Sequence, residues 1–176
     1  MIWDNYNNYI NALVDMMKKS VRNAKGYLVV GEPGICTSIL HDIKSVLEKE
    51  GIMVLYLNFN TCADEDQCID ILKKARKELK KHKDATKRIL VMESFDRLDQ
   101  RVMDAVKILI GCQAVGIEIV VSAAHPMIHM VGLTRYMVKM NPSDEIYSEL
   151  YRYDKEQTLF GVRNNGQKGI ELHDSD

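Results

Sequence analysis

The residues with the clearest chemical potential lie where an apolar run breaks into glycine. Tyr27-Leu28-Val29-Val30 is followed by Gly31-Glu32-Pro33-Gly34-Ile35-Cys36-Thr37-Ser38. A strand, a glycine turn and a helix in that order surround a phosphate with backbone N–H groups and a helix N-terminus. The signature G-x-x-x-x-G-K-[ST] adds a lysine for the β- and γ-phosphates and a hydroxyl for Mg²⁺. Gly31 and Ser38 match it, while Cys36 stands at the second glycine and Thr37 at the lysine. A Cβ at position 36 intrudes where phosphate would approach the backbone, and Thr37 brings no charge.

A second apolar run, Ile89-Leu90-Val91-Met92, departs in the same direction. Phosphoryl transfer needs an Asp there for Mg²⁺ and, in many proteins, a Glu to activate water. This chain has Glu93 and Ser94, with Asp96 two residues further on. Glu93 could hold a metal, but its longer side chain changes the geometry. Ser94 is no general base, and Asp96 could substitute in part. Ser122, at the end of Ile119-Val120-Val121, sits where a polar residue senses the γ-phosphate. The expectation is therefore a vestigial site with no catalytic residue. Glu93, Ser94 and Asp96 are its remnants of chemistry; Gly31, Gly34, Cys36, Thr37, Ser38 and Ser122 are its remnants of a nucleotide loop. No metal site and no cofactor are expected, ATP and Mg²⁺ binding only if the altered loop still holds them.

These residues need elements to position them. Periodicity predicts a leading helix over about Trp3–Arg22, its stripe Tyr6, Tyr9, Ile10, Leu13, Met16 and Met17, with Asp4 as cap. Further helices are predicted over Ser38–Lys49, Glu65–His82, Gln100–Cys112 and Ser143–Leu150. Gly51 stands where a helix C-cap belongs. Strands alternate with them at Tyr27–Val30, Ile52–Leu57, Ile89–Met92 and Ile117–Val121, with a short one at Tyr136–Met140. The continuous apolar runs fit strands buried on both faces. Thr158–Val162 and Gly169–Leu172 read as a closing hairpin turning at Asn164-Asn165-Gly166. The pattern implies a three-layer α/β/α domain of P-loop NTPase type with a mainly parallel central sheet. It divides 1–176 into a leading helix (1–25), an α/β core (26–150) and a C-terminal hairpin (151–176).

Composition limits the alternatives. In 176 residues, 24 Lys and Arg face 25 Asp and Glu, a net charge of -1. That balance lacks the basic signature of nucleic-acid or membrane-surface binding. No apolar run nears the ~18–20 residues of a membrane span, and Met1-Ile2-Trp3-Asp4-Asn5 does not read as a secretory signal. Cys36, Cys62, Cys68 and Cys112 lack zinc-type spacing and read as reduced thiols of a cytoplasmic protein. His125 and His129 are four apart, but Pro126 and the lack of a third ligand make a loop the reading. The lysine-rich end of the third helix reads as a solvated face. Met127, Met130, Met137 and Met140 read as core filling, with an exposed adaptable patch as the alternative.

The arrangement resembles the FtsK/SpoIIIE-type P-loop ATPases, most of all the C-terminal ATPase modules of the membrane-anchored ATPase of type VII secretion systems. The residues that carry the likeness are Lys25-Gly26, Tyr27 to Gly34, Val54-Leu55-Tyr56-Leu57, Ile89 to Glu93, Gly116 to Ala123, and Gly166-Gln167-Lys168-Gly169-Ile170-Glu171. The GEPG opening is also similar to that of AAA-type loops. The resemblance implies a degenerate module that acts in substrate recognition or assembly. It implies a cytoplasmic location, including within a membrane-anchored complex. Its partners would be a secreted substrate or neighbouring ATPase modules, with no nucleic acid and no membrane insertion. Two other functions fit the residues. One is an active or weakly active NTPase using Glu93, Asp96 and Ser38 with a cation supplied in trans. The other is a small-anion binder using the backbone of Gly34 to Ser38.

Overall fold

The computed structural model describes residues 5–19, 26–85, 87–112, 117–125, 137–151 and 170–171. In chain order these form α1 (Tyr6–Lys19), β1 (Gly26–Val30), α2 (Pro33–Lys49), β2 (Met53–Asn58), α3 (Glu65–Lys81), β3 (Arg88–Glu93), α4 (Gln100–Cys112), β4 (Ile117–Ala123) and β5 (Met137–Lys139). A helix over 144–151, here α5, and a short β6 (Ile170–Glu171) complete the described elements.

The sheet runs β5-β1-β4-β3-β2-β6. The first five strands are mutually parallel, and β6 pairs antiparallel with β2 at Tyr56 and Leu57. The architecture is the expected α/β/α sandwich, because each central strand is apolar on both sides. Tyr27, Val29, Val54, Tyr56, Ile89, Val91 and Val120 pack with α1, α2 and α5. Leu28, Leu55, Leu57, Leu90, Met92, Ile119 and Val121 pack with α3 and α4. Each such side chain removed from water contributes about 1.5–3 kcal/mol, which decides the strand register. Parallel pairing puts the carboxyl ends of β1, β2, β3 and β4 on one edge, where ligands of open α/β sheets bind.

One boundary differs from the sequence expectation, and two expected features fall wholly or largely outside the described residues. The helix expected to begin at Ser38 begins at Pro33, because proline at the first helical position supplies the helical φ and needs no N–H partner. Asp4 lies outside the described residues; the Asn5 side chain accepts the Asn8 N–H at 2.8 Å. Of the closing hairpin, only Ile170 and Glu171 lie among the described residues. Gly51 does end α2, with φ +79°, its neighbour Ile52 donating to the Leu47 carbonyl at 3.1 Å.

Candidate functional site

The connection from β1 to α2 consists of Gly31 and Glu32 alone. The loop expected to cradle phosphate over Gly34 to Ser38 is therefore the opening of a helix. The Cys36 N–H already donates to the Glu32 carbonyl at 2.9 Å. Pro33 has no N–H, so Gly34 and Ile35 supply the amides that precede the helical ladder. Ile35, Cys36, Thr37 and Ser38 are all buried. Both hydroxyls turn back on their own helix, Thr37 to the Pro33 carbonyl at 2.9 Å and Ser38 to the Gly34 carbonyl at 3.1 Å.

Thr37 also reaches across to the end of β3. Its Oγ1 lies 2.5 Å from Glu93 Oε1. Glu93, 2% exposed, is further bound by the Tyr56 hydroxyl on Oε2 and by Asn60 Nδ2 on Oε1 at 3.3 Å. Tyr56 comes from β2, and its ring stacks on His41 of α2 with centroids 4.4 Å apart. The residues at the lysine and acid positions of a nucleotide site are thus each other's partners. The carboxylate is enclosed by neutral donors from α2, β2 and the turn after β2, an arrangement that compensates for its burial.

The other singled-out residues brace the same edge. Ser94 holds the left-handed conformation at φ 56°, ψ 47°, which turns the chain sharply out of β3. Its N–H donates to Ser122 Oγ at 3.0 Å, and its hydroxyl accepts from Asn60 Nδ2 at 3.0 Å. Ser122 is 2% exposed and ties β4 to the end of β3. Asp96 lies away from Glu93's contacts; its Oδ2 accepts the N–H groups of Ala124 and His125 at 3.1 Å each. His129 lies outside the described residues.

From the other side, α5 covers the short connection. Tyr147 Oη lies so near Gly31 that a Cβ there would meet it at 2.0 Å. Its oxygen accepts a hydrogen bond from the Glu32 N–H, and burial, then the neighbouring Cys36, raises its pKa. Tyr151, one turn on and stacked at 6.3 Å, donates its hydroxyl to the Glu32 carboxylate, which pushes its pKa up to about 12. Cys36 sits under this cover, its thiol pushed up to about 12 by burial, then by Glu93, Asp96 and Glu32. A helix N-terminus ordinarily favours thiolate; here desolvation and three carboxylates outweigh it.

The sequence reading passed over Tyr56, Asn60, Tyr147 and Tyr151. The i,i+4 spacing of Tyr147 and Tyr151 marks one helix face. Nothing local says that this face meets Gly31.

The strand order and the site at the carboxyl edge define the class: this is the fold of the AAA+-type P-loop ATPases. Caenorhabditis elegans PCH-2 superposes with a TM-score of 0.53 and 16% identity, over 96% of this chain and 52% of that one. AMPPCP-bound DnaA from Aquifex aeolicus gives 0.54 and 11%, over 93% and 55%. Drosophila ORC bound to poly(dA/dT) DNA and Cdc6 gives 0.59 and 12%, over 86% and 31%. The chain thus spans about half the length of the first two and a third of the last. No family model matches the sequence. A relative does: the chain belongs to the same family as pXO2-33, an uncharacterized protein of Bacillus anthracis. The two are 37% identical over 168 residues, 95% of this chain and 96% of that protein. Among the described residues, no helix is long and apolar enough to cross a membrane.

Proposed function

We propose that this chain is a catalytically degenerate P-loop ATPase module that works by docking to other proteins. The observation that carries the reading is the direct contact of Thr37 with Glu93, 2.5 Å apart, beneath a connection covered by Tyr147. A Mg²⁺-nucleotide needs its threonine or serine hydroxyl and its acid turned toward the metal, and a run of free amides around the β-phosphate. Here both hydroxyls bond helix carbonyls and the acid is enclosed by protein donors. The aromatic cover lies on the glycine where phosphate would approach. These residues do not fit a Mg²⁺-nucleotide, and no hydrolytic step is assigned to them.

A fold that keeps its sheet while filling its phosphate site is left with surfaces as its means of action. The order of motifs and the resemblance to FtsK/SpoIIIE-type modules support a place in a secretion motor, binding a secreted substrate or a neighbouring ATPase module. The B. anthracis relative, uncharacterized itself, adds family membership and no partner. Phosphate release from Mg·ATP by the purified chain tests the reading. The expected rate is that of buffer alone. Steady turnover that Glu93→Gln abolishes would replace this proposal with an NTPase.

A further inference from the structure

α3 leaves the carboxyl end of β2 and runs back to the start of β3, so its last turns lie at the opposite edge of the sheet from the candidate site. Seven of the eleven residues 73–83 are Lys or Arg. All seven are exposed, while Leu72, Ala75 and Leu79 turn inward to the core. Glu78 is the one acid in the stretch and is buried. Its carboxylate accepts from Lys81 Nζ at 2.9 Å and lies 3.9 Å from His82 Nε2. Among the described residues, no carboxylate pairs with Lys73, Lys74, Arg76, Lys77, Lys80 or Lys83. The other acids of α3, Glu65, Asp66 and Asp70, stand at its N-terminal end. The whole-chain balance of 24 cations against 25 acids conceals this segregation. The arrangement works against the helix itself. Like charges three or four apart destabilise it, and Lys73–Lys77, Arg76–Lys80 and Lys77–Lys81 are such pairs. The helix dipole favours cations only in the last turn. That accounts for Lys80 and Lys81 and leaves Lys73, Lys74, Arg76 and Lys77 without a structural reason.

We infer that this end of α3 binds double-stranded DNA through its phosphate backbone, without regard to sequence. At about 100° per residue, Arg76, Lys80, Lys73, Lys77, Lys81 and Lys74 span an arc of about 160° in that order, and about 12 Å of helix separates Lys73 from Lys81. Duplex DNA carries one phosphate per ~1.7 Å of axis, so that length faces about seven. A B-form major groove, ~12 Å wide, admits a helix. Cations on both flanks of the arc then meet both rows of phosphates. The deep major groove of an A-form RNA duplex is too narrow for this. Entry by the C-terminal turns keeps Asp66 and Asp70, about three turns or more from Lys80, away from phosphate. The apolar side chains within 73–83, Ala75 and Leu79, are both buried. A protein partner therefore lacks an anchor on this face, single-stranded bases lack a stacking platform, and a membrane lacks an apolar side to insert. The stretch holds no Asn or Gln to read base edges, which leaves the phosphates as the recognised groups.

The test is fluorescence anisotropy of a short labelled DNA duplex titrated with the full chain at several salt concentrations. About four to six phosphate contacts give a log–log salt slope of about -3.6 to -5.4, a loss of about 10²–10³-fold in affinity between about 50 and 200 mM salt. Lys73→Gln, Lys77→Gln and Lys80→Gln combined keep the helix propensity of α3. This triple variant should flatten the slope by about 2.7 and weaken binding at low salt by about tenfold or more. Lys19→Gln, Lys49→Gln and Lys139→Gln, exposed on α1, α2 and β5, change the net charge equally and should leave slope and affinity at the wild-type values. No binding at micromolar protein in low salt, or equal losses in the two triple variants, would overturn the inference. Tighter binding to duplex RNA, to polyglutamate or to vesicles of anionic phospholipid than to the DNA would overturn it as well.

Discussion

Gly31→Ala separates a covered site from an open one. The added Cβ would lie 2.0 Å from Tyr147 Oη and 3.3 Å from its Cζ, with Cys36 Sγ at 3.5 Å. The hydroxyl must retreat by at least about 1 Å to leave even a tight contact, and it is carried by a ring that is half-buried and stacked on Tyr151. Retreat also breaks the hydrogen bond from the Glu32 N–H. Overpacking of this kind costs about 1–3 kcal/mol. Tyr147→Phe alone should cost about 0.5–1.5 kcal/mol for the lost hydrogen bond. In the double variant the nearest ring atom is Cζ at 3.3 Å, a tight contact that a shift of a few tenths of an ångström relieves. The two changes should then cost less together than their sum, by about 1 kcal/mol or more. Urea unfolding followed by circular dichroism, at matched m-values, measures all three. Additive costs, or a Gly31→Ala cost below about 0.5 kcal/mol in the wild-type background, would refute the placement of Tyr147 on the glycine.

Three further predictions follow from the same contacts. Restoring the signature with Cys36→Gly and Thr37→Lys should not restore Mg·ATP binding by calorimetry, because the helix still begins at Pro33 and Tyr147 still covers Gly31; submillimolar affinity in that variant would contradict this. Glu93→Ala removes the shared acceptor of Thr37, Tyr56 and Asn60 and should cost about 2–3 kcal/mol in chemical denaturation, with Glu93→Gln costing less since its carbonyl still accepts. Stability should also fall at alkaline pH. The Cys36 thiol ionises near 9.0 when exposed and near 12 when folded. The unfolded chain therefore loses its proton first, and the stabilisation present below pH 9 is lost as pH rises toward 12. The loss from this thiol is up to about 1.4 kcal/mol per pH unit, and Cys36→Ala should flatten the alkaline limb.

The fold was largely legible from period and punctuation. The runs ending at Val30, Leu57, Met92 and Val121 announce buried parallel strands, and Gln100–Cys112 appears with the boundaries its periodicity implies. The start of α2 was misplaced because the phosphate-loop signature invites a loop through Ile35, whereas Pro33 and the buried side chains after it are already helical. At the site, the departures from the phosphate-loop signature at Cys36, Thr37, Glu93 and Ser94 were visible in the sequence. The contacts that these residues make were not. Thr37 and Glu93 are 56 residues apart and Tyr6 reaches Asp42 across 36; such pairings depend on the completed sheet, and single-residue propensities carry no trace of them. The role of α5 was hidden for the same reason, since a tyrosine at i and i+4 describes a face and not what lies beneath it.

The most direct measurement of the central claim is a titration of the isotope-labelled protein with Mg·ATP, followed at the backbone amides of Gly31, Glu32, Gly34, Ile35 and Thr37 by NMR. The account predicts that these resonances stay in place at millimolar nucleotide, because the N–H groups of Gly31, Glu32 and Cys36 are already donated within the protein, Glu93 is enclosed by Thr37, Tyr56 and Asn60, and Tyr147 covers the glycine. Saturable, Mg²⁺-dependent shifts centred on Gly31 to Thr37 would contradict it and mark the site as a working nucleotide pocket.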